Sequence, residues 1–328
     1  MRHLFPLLAL VAAACGSAQP PTDAAKAGAP AAPASGAPEE RADPLRLDQE
    51  IDRKDGVGTF TSIPWGFDTN SFWIEGPEGV VVIDTQFLPS EAEHLIEVVE
   101  RETRKKITSA FVLHPNPDKF NGADVFRAHG VKVITSSPVF EQIPAVAEKR
   151  RAAFYDRYKP DYPERDPTID KVFPVTGDGK TPLKLRDAGI ELEVHTLGRG
   201  CSEAHLVITY KGHVFPGDLV ANGTHAWLEL GYVREWLERI GEMEGMSPTR
   251  VHPGRGASGG PELLGTQRRY LQRVLDLVDE AKPTMPPPAG AIEGIKARLV
   301  SEHPDLGYDV FLRGLGAVWK HEAAVLAP

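Results

Sequence analysis

The chain has little cysteine, no block of basic residues and no apolar run long enough to cross a bilayer. Its 328 residues include 37 Lys and Arg against 46 Asp and Glu, which gives a formal net charge of -9. Because no cluster of Lys and Arg forms a continuous basic face, the composition argues against nucleic acid as the main partner. A hydrophobic fraction of 41% indicates a globular protein with a sizeable core, built as one large domain or two ordinary ones.

The N-terminus has the features of an export signal. Arg2 supplies positive charge, and residues 4–14 form an apolar run that is shorter than the roughly 20 residues a membrane-spanning helix requires. The segment AAACG at residues 12–16 resembles a bacterial lipobox. That resemblance implies that Cys15 is acylated and anchors the mature chain. With Gly16 after it, we expect the outer membrane, with the protein facing the periplasm.

The two cysteines then have separate fates. If Cys15 carries lipid, Cys201 has no intramolecular partner and no disulfide framework is available. Cys201 would be a free thiol in an oxidising compartment, where it requires burial or a role as a ligand to stay unmodified. Residues after Cys15 are rich in Ala, Pro and Gly, which predicts a disordered tether. The expected segments are a signal peptide at 1–15, the tether at 16–44, a folded domain at 45–282 and a helical extension at 283–328.

Apolar patterning predicts strands and helices in both halves of the chain. Residues 79–85 form a β-branched run that predicts a buried strand ending at Asp84, and the strand at 107–113 places His114 at its carboxyl end. Further strands are predicted at 131–135, 190–194, 206–210, 213–215 and 250–252. Helices are predicted at 89–106, 121–128, 138–158, 232–244, 261–279, 291–300 and 308–321. Strands that cluster between helices favour an α/β (α+β) protein, a four-layered αββα sandwich with a C-terminal helical extension.

Five segments resemble, in order, the motifs of the metallo-β-lactamase superfamily. They are the strand region NSFWI at 70–74 with the strand ending at Asp84, HPNPDKFNG at 114–122, LGRGC at 197–201, GDLV at 217–220 and VHPGRG at 251–256. The resemblance covers about residues 68–274. It implies the αββα fold of that superfamily and a centre that binds two metal ions.

The metal-binding motifs depart from the pattern of the superfamily. The loop that starts at His114 resembles the HxHxDH motif, but Asn116 and Lys119 stand where two of its histidines are expected. Cys201 occupies the position of the third His of the first metal site. Asp218 matches the aspartate that bridges the metals, and Arg255 stands where the last His is expected. The resemblance thus implies that most ligands have been replaced.

The first metal site is chemically acceptable despite these replacements. His114, Cys201 and Asp218 offer one imidazole, one thiolate and one carboxylate, which are suitable zinc ligands, with Asn116 beside them. We therefore expect one zinc ion at this position, or none.

The second site is a different case, because Lys119 and Arg255 would face the metal. A unit cation about 4 Å from a divalent ion costs roughly 8 kcal/mol at an effective dielectric of 20. We therefore expect these cations to exclude the second metal and to pair with Asp118 and Asp218 in its place.

Other residues have predicted roles around this centre. Asp84 is expected to orient the His114 loop. His225, which follows the Asp218 strand, is a candidate for the substrate pocket. His205 is predicted to be structural or at the surface, and Phe67 is predicted to belong to the core.

Two functions remain open from the sequence. The first is a hydrolase with at most one metal ion, acting on a small ester, thioester or lactam, in which Asp118 orients the attacking water or moves its proton. The alternative is a non-catalytic, metal-poor protein that binds a small polar or anionic ligand through Lys119 and Arg255.

Overall fold

The computed structural model describes residues 51–52, 56–175 and 181–326, and within them two β-sheets pack face to face. The strands of the first sheet are β1 (Ile51–Asp52), β2 (Val57–Thr61), β3 (Asn70–Glu75), β4 (Val80–Ile83), β5 (Ile107–Phe111), β6 (Lys132–Ser136) and β7 (Lys171–Phe173). Those of the second are β8 (Leu183–Asp187), β9 (Ile190–Leu197), β10 (His205–Tyr210), β11 (His213–Ala221) and β12 (Arg250–Arg255).

Both sheets are mixed. The strands of the first sheet follow chain order, with antiparallel pairs from β1 to β4 and parallel pairs from β4 to β7. The second sheet has the order β12-β11-β10-β9-β8, and its one parallel pair within the described residues joins β11 to β12. Parallel strands end at the same edge of a sheet, so residues that follow β4 and β5 lie side by side, as do those at the ends of β11 and β12.

Helices cover both outer faces. They are α1 (Pro89–Thr103), α2 (Pro117–Phe120), α3 (Ala123–Ala128), α4 (Ser137–Tyr158), α5 (Val233–Gly245), α6 (Glu262–Glu280), α7 (Ala291–Glu302) and α8 (Leu315–Val325), with 3-10 turns at Pro64–Gly66 and Asp309–Gly314. No helix among the described residues is long and apolar enough to cross a membrane. The predicted four-layered αββα sandwich is confirmed, and the C-terminal helices α7 and α8 pack on α6.

Two hydrophobic clusters hold these layers together. One joins the first sheet to α1, α3 and α4 and to inward side chains of the second sheet, as in the contact of the Phe72 and Phe215 rings at 5.5 Å. The other joins the second sheet to α5, α6, α7 and α8. Helix α6 packs on the second sheet because its apolar residues recur at helical spacing on one face. Each buried aliphatic side chain stabilises the fold by about 1.5–3 kcal/mol. On α6 these side chains are Leu264, Leu271, Val274, Leu275 and Val278.

Some predicted elements differ in extent from the observed ones. Strand β11 continues to Ala221, six residues beyond the predicted end, and therefore contains Asp218. The helix predicted at 121–128 starts earlier and is divided at Asn121 and Gly122 into α2 and α3. Close packing explains the division, since a Cβ at Gly122 would lie 1.9 Å from the backbone oxygen of Thr85. Strands β1, β2, β7 and β8 were not predicted, and the signal peptide with Cys15 and the tether lie outside the described residues.

Candidate functional site

Asp84 and His114 follow the adjacent parallel strands β4 and β5. Asp84 adopts the left-handed conformation with φ of 66°, which is uncommon for a residue other than glycine. Its Oδ1 accepts the backbone N–H of Leu113 at 2.9 Å, so the carboxylate is tied to the residue before His114. This contact is the one expected of a residue that orients the His114 loop.

Five buried ionisable residues form what we call the charge cluster: Asp84, Asp118, Lys119, Asp218 and Arg255. Lys119 is fully buried, and its Nζ lies 2.9 Å from Asp218 Oδ1, 3.2 Å from Asp118 Oδ2 and 3.6 Å from Asp84 Oδ2. The Arg255 guanidinium contacts two of these three carboxylates, at 2.7 Å to Asp218 and 2.8 Å to Asp118. The predicted pairing of the two cations with Asp118 and Asp218 is therefore present in the structure.

The charges of the cluster depend on one another. Burial by itself would raise the pKa of Asp118 and Asp218, but Lys119 and Arg255 hold the pKa of Asp118 below its ordinary value and that of Asp218 well below. Burial opposes the charge of both bases as well, yet the carboxylates raise the pKa of Lys119 and of Arg255. For Asp84, burial outweighs Lys119 and raises the pKa to about 6. At neutral pH, Asp118 and Asp218 are thus ionised and each contacts both cations.

The backbone around Arg255 is shaped to let the cluster form. A Cβ at Gly254 would lie 1.8 Å from Asp218 Oδ1, so only glycine leaves room for that carboxylate. The Nδ2 of Asn70 donates to the carbonyl oxygens of Pro253 at 2.9 Å and Gly256 at 2.7 Å, which ties the Arg255 segment of the second sheet to β3 of the first. The NSFWI and VHPGRG segments therefore meet at the site.

Next to the charge cluster lies a second group, which we call the donor trio: His114, Cys201 and His205. Their ligand atoms all lie within 4.8 Å of one another, and all three residues are buried. Cys201 Sγ is 3.2 Å from His205 Nε2, which also accepts the backbone N–H of Ser202 at 3.2 Å. His205 Nδ1 lies 2.9 Å from the carbonyl oxygen of Gly198 and donates to it. The prediction of His205 as structural or at the surface missed this position beside Cys201.

Cys201 and His205 are neutral, whereas Asp118 and Asp218 of the charge cluster are ionised. Burial raises the pKa of the Cys201 thiol well above its ordinary value and lowers the pKa of His205 to about 3. His114 Nδ1 lies 3.0 Å from Ser202 Oγ, while its buried Nε2 makes no hydrogen bond and lies 3.6 Å from Asp218 Oδ2. A metal ion would bind the thiolate, so its binding would release a proton.

The two groups differ in how well they fit a metal ion. Zinc prefers imidazole nitrogen and thiolate sulfur, and the trio with its unpartnered His114 Nε2 fits one zinc ion. To coordinate, His205 would give up its long bond from the Ser202 amide. The position between Asp118 and Asp218 does not fit a second ion, because it is filled by the ammonium of Lys119 and the guanidinium of Arg255.

A cleft of about 390 Å³, open to solvent, reaches the charge cluster. Its lining combines the charged groups with aromatic side chains and consists of Phe67, Phe87, Asn116, Pro117, Asp118, Arg150, Phe154, Asp218, Trp227, Arg255 and Phe311. Phe67 is buried as predicted, but its ring also forms part of the cleft wall. His225 is not among the residues that line this cleft, since its Nδ1 lies 2.8 Å from the hydroxyl of Tyr270, and Trp227 lines the cleft instead.

Comparison with known proteins now decides the family. The sequence model of the metallo-beta-lactamase superfamily matches residues 64–255, which is more than half of the chain. The chain belongs to the metallo-beta-lactamase superfamily. A curated metallo-beta-lactamase type 2 from Bacillus sp. (strain 170) is 22% identical over 204 residues, covering 60% of this chain and 70% of that protein.

Solved structures agree on the fold. The metallo-beta-lactamase from Pontibacter korlensis has a TM-score of 0.52 and 21% identity, covering 66% of this chain and 94% of its own. FIM-1 from Pseudomonas aeruginosa, solved in a mono-zinc form, has a TM-score of 0.52 and 17% identity, covering 66% and 92% of the two chains. At such identities the likeness shows the fold alone. The region that the family model matches, residues 64–255, ends before α6, so Phe311 of the cleft wall lies outside that region.

Proposed function

We propose that this protein is a metallo-beta-lactamase superfamily hydrolase that acts on a small ester, thioester or lactam with a single zinc ion. One observation carries the proposal: the donor trio converges beside the charge cluster, while cations fill the second metal position. We assign the ion to His114, Cys201 and His205, with Asp218 as a neighbour already engaged by Lys119 and Arg255. When bound, zinc supplies an activated water as the nucleophile at neutral pH.

The charge cluster gives Asp118 the role of positioning that water. Asp118 lines the cleft and stays ionised at neutral pH because Lys119 and Arg255 lower its pKa. Its carboxylate accepts a hydrogen bond from the Thr69 hydroxyl at 3.2 Å, which fixes its orientation. A carboxylate held in this way could accept a hydrogen bond from such a water and orient it.

Arg255 contributes on the side of the substrate. Its guanidinium lines the cleft next to both carboxylates, and its Nε donates to the backbone oxygen of Phe67 at 3.1 Å. Fixed positive charge beside a reacting carbonyl stabilises the oxyanion that develops during hydrolysis. The aromatic rings of Phe67, Phe87 and Phe154 offer an apolar wall for the body of a small substrate.

Hydrolysis assays with a metal-free control test the proposal. We expect the purified protein to hydrolyse at least one of nitrocefin, p-nitrophenyl acetate and a thioester, to lose this activity with dipicolinate and to regain it with added zinc. Cys201→Ser should abolish the activity, while Ser258→Ala, on a loop beside His252, serves as a control that leaves it unchanged. Activity that persists in the chelator and in Cys201→Ser would contradict a zinc-dependent reaction.

A second candidate is a metal-poor protein that binds a small polar or anionic ligand without catalysis. The observation in its favour is that the cleft lining includes Asp118, Asp218 and Arg255 but none of the donor trio. Restoring histidine at Asn116, Lys119 and Arg255 separates the two functions. Zinc binding and hydrolysis that appear only in the restored protein would favour the binding function.

We further propose that the protein is held at the outer membrane by lipid on Cys15, facing the periplasm, with a small molecule as its partner. The lipobox-like sequence before Gly16 supports this proposal. Mass spectrometry of the chain isolated from membranes should give the mass of a triacylated N-terminal cysteine. Full-length protein with an unmodified Cys15 would contradict it.

A further inference from the structure

The cleft has a second charged region besides the charge cluster. Two guanidinium groups lie over the ring of Trp227, that of Arg150 at 5.3 Å and that of Arg313 at 4.9 Å from its centroid. Arg150 and Trp227 both line the cleft, and the Arg150 side chain is only 9% exposed. A buried cation against an aromatic face is a strong feature, because cation–π attraction grows as water is excluded.

Basic side chains gather around Glu229 in this region. Glu229 forms ion pairs with both Lys149 and Arg150. Burial lowers the pKa of Arg313, while Glu229 raises that pKa and Arg150 lowers it. Glu229 therefore acts electrostatically on Lys149, Arg150 and Arg313, and an anion bound to these guanidinium groups would compete with its carboxylate.

A line of ring contacts connects this region to the charge cluster. The Arg255 guanidinium lies 5.3 Å from the centroid of the Phe311 ring, and Phe311 meets Trp227 edge to face at 4.9 Å. Trp227 in turn carries Arg150. A ligand with a charged group at Arg150 could therefore reach Asp118 and Asp218 along aromatic walls, since all three residues line the same cleft.

We propose that Arg150, Trp227 and Arg313 form an anion subsite that binds the carboxylate of an amphipathic substrate, whose apolar part packs on Phe154 and Phe311. The inference rests on the proposed function, because it names the substrate class for the same cleft. A guanidinium is suited to this role, since it presents paired N–H donors that match a carboxylate and keeps its charge when buried. The aromatic lining favours an apolar or aromatic body in the ligand.

A variant of Glu229 should change anion binding in the opposite direction to variants of the two arginines. Because its carboxylate competes with a bound anion for Arg150, neutralising it should strengthen anion binding. Glu229→Gln should therefore bind an anionic probe more tightly than the wild type, whereas Arg150→Gln and Arg313→Gln should bind it more weakly. Opposite effects of this kind are not produced by a general loss of folding.

The experiment compares 4-phenylbutyrate with the neutral 4-phenylbutyramide by isothermal titration calorimetry, using the full chain. We expect the carboxylate to bind about tenfold more tightly than the amide, as a charge-assisted hydrogen bond predicts. Arg150→Gln and Arg313→Gln should reduce that preference severalfold. The exposed pair of Arg268 with Glu244 provides matched controls, since Arg268→Gln and Glu244→Gln should leave the preference unchanged.

Equal binding of the two probes by the wild type would overturn the subsite. So would a preference for the carboxylate probe that Arg150→Gln, Arg313→Gln and Glu229→Gln all leave unchanged. Circular dichroism identifies a variant that does not fold, and Arg313 is exposed enough for its variant to remain folded. The binding measurement and the hydrolysis assays test different claims, so either can give a negative result without the other. Preferential binding of 4-phenylbutyrate without hydrolysis of any ester or lactam would remove the proposed activity and keep the subsite.

Discussion

The charge cluster and the donor trio share one buried centre, yet their polar groups are accommodated in opposite ways. In the cluster, Asp118, Asp218 and the two bases stay ionised because each faces the other, with Arg255 at 2.7 Å and 2.8 Å from the two carboxylates. In the trio, burial keeps Cys201 and His205 neutral, since the pKa of the thiol is raised and that of the imidazole falls to about 3. Buried groups of the same centre thus differ in charge because of what each of them faces.

This difference suggests how the two metal positions of the superfamily diverged in this chain. Lys119 and Arg255 stand where the motif resemblance predicts histidines, and we infer that their side chains supply the positive charge that a second metal ion would bring. Cys201 also stands where that resemblance predicts a histidine, but a thiolate is itself a zinc ligand, and His205 adds a further donor.

The largest effect is expected from removing one cation of the cluster. Arg255→Met leaves Asp118 and Asp218 buried with only Lys119 as a counter-charge, and breaking a buried pair in this way costs about 3–5 kcal/mol. Urea denaturation at neutral pH measures the change in unfolding free energy. Arg268→Met, in an exposed pair with Glu244, should change it by less than about 1 kcal/mol. A small loss in Arg255→Met would show that the cluster is not a tightly coupled unit.

The buried carboxyl group of Asp84 should make the unfolding free energy depend on pH. Its pKa of about 6 in the folded state exceeds the ordinary 3.8, so protonated Asp84 stabilises the fold fully below about pH 4 and this contribution is lost as pH rises through 6. Relative to Asp84→Asn, the wild type should lose about 3 kcal/mol of unfolding free energy between about pH 4 and pH 7.5.

Asp170 should give the opposite dependence of stability on pH. Burial would raise the pKa of Asp170, but the Val133 amide and Arg127 lower it, so ionised Asp170 stabilises the fold at higher pH and this contribution is lost on acidification. Relative to Asp170→Asn, the wild type should therefore gain stability as pH rises. Parallel pH profiles for the wild type and Asp84→Asn would contradict the burial of an ionisable Asp84 beside Lys119.

The donor trio should respond to zinc. Free zinc at a hundredfold excess over its dissociation constant stabilises a folded protein by about 2.7 kcal/mol, because the ion binds only the folded state. We expect the wild type to gain roughly this amount, and Cys201→Ser and His205→Gln to gain much less. Asn116→Ala should behave as the wild type if the ligands are the trio. A thermal shift that depends on Asn116 and not on His205 would instead favour the ligand position found by motif alone.

The sequence predicted the fold because β-branched runs and helical spacing are local signals. The strand ending before Asp84 and the one before His114 follow from such runs. The pairing of cations with carboxylates follows from their positions in the resembled motifs together with their charges. His205 was missed because a single histidine at a strand start carries no signal, although its spacing of four residues from Cys201 could have suggested a turn that joins them. No local pattern indicated that Phe311, from the C-terminal part, would enter the cleft.

His225 and Trp227 differ in their relation to the cleft. The two residues lie two positions apart, after β11, and the path of the chain decides which of them faces the cleft. That path is fixed by contacts remote in sequence, since the His225 amide donates to the Gly307 oxygen at 2.9 Å and its ring meets Tyr270. Position after a strand therefore predicted the neighbourhood of the cleft but not the residue that lines it.

Counting zinc ions per chain tests the central claim most directly. The purified protein is equilibrated with excess zinc, desalted and examined by native mass spectrometry beside the variant with histidine at positions 116, 119 and 255. Because the side chains of Lys119 and Arg255 fill the position between Asp118 and Asp218, we expect no more than one zinc ion in the wild type and a second ion only in the variant. Two tightly held zinc ions in the wild type would contradict it.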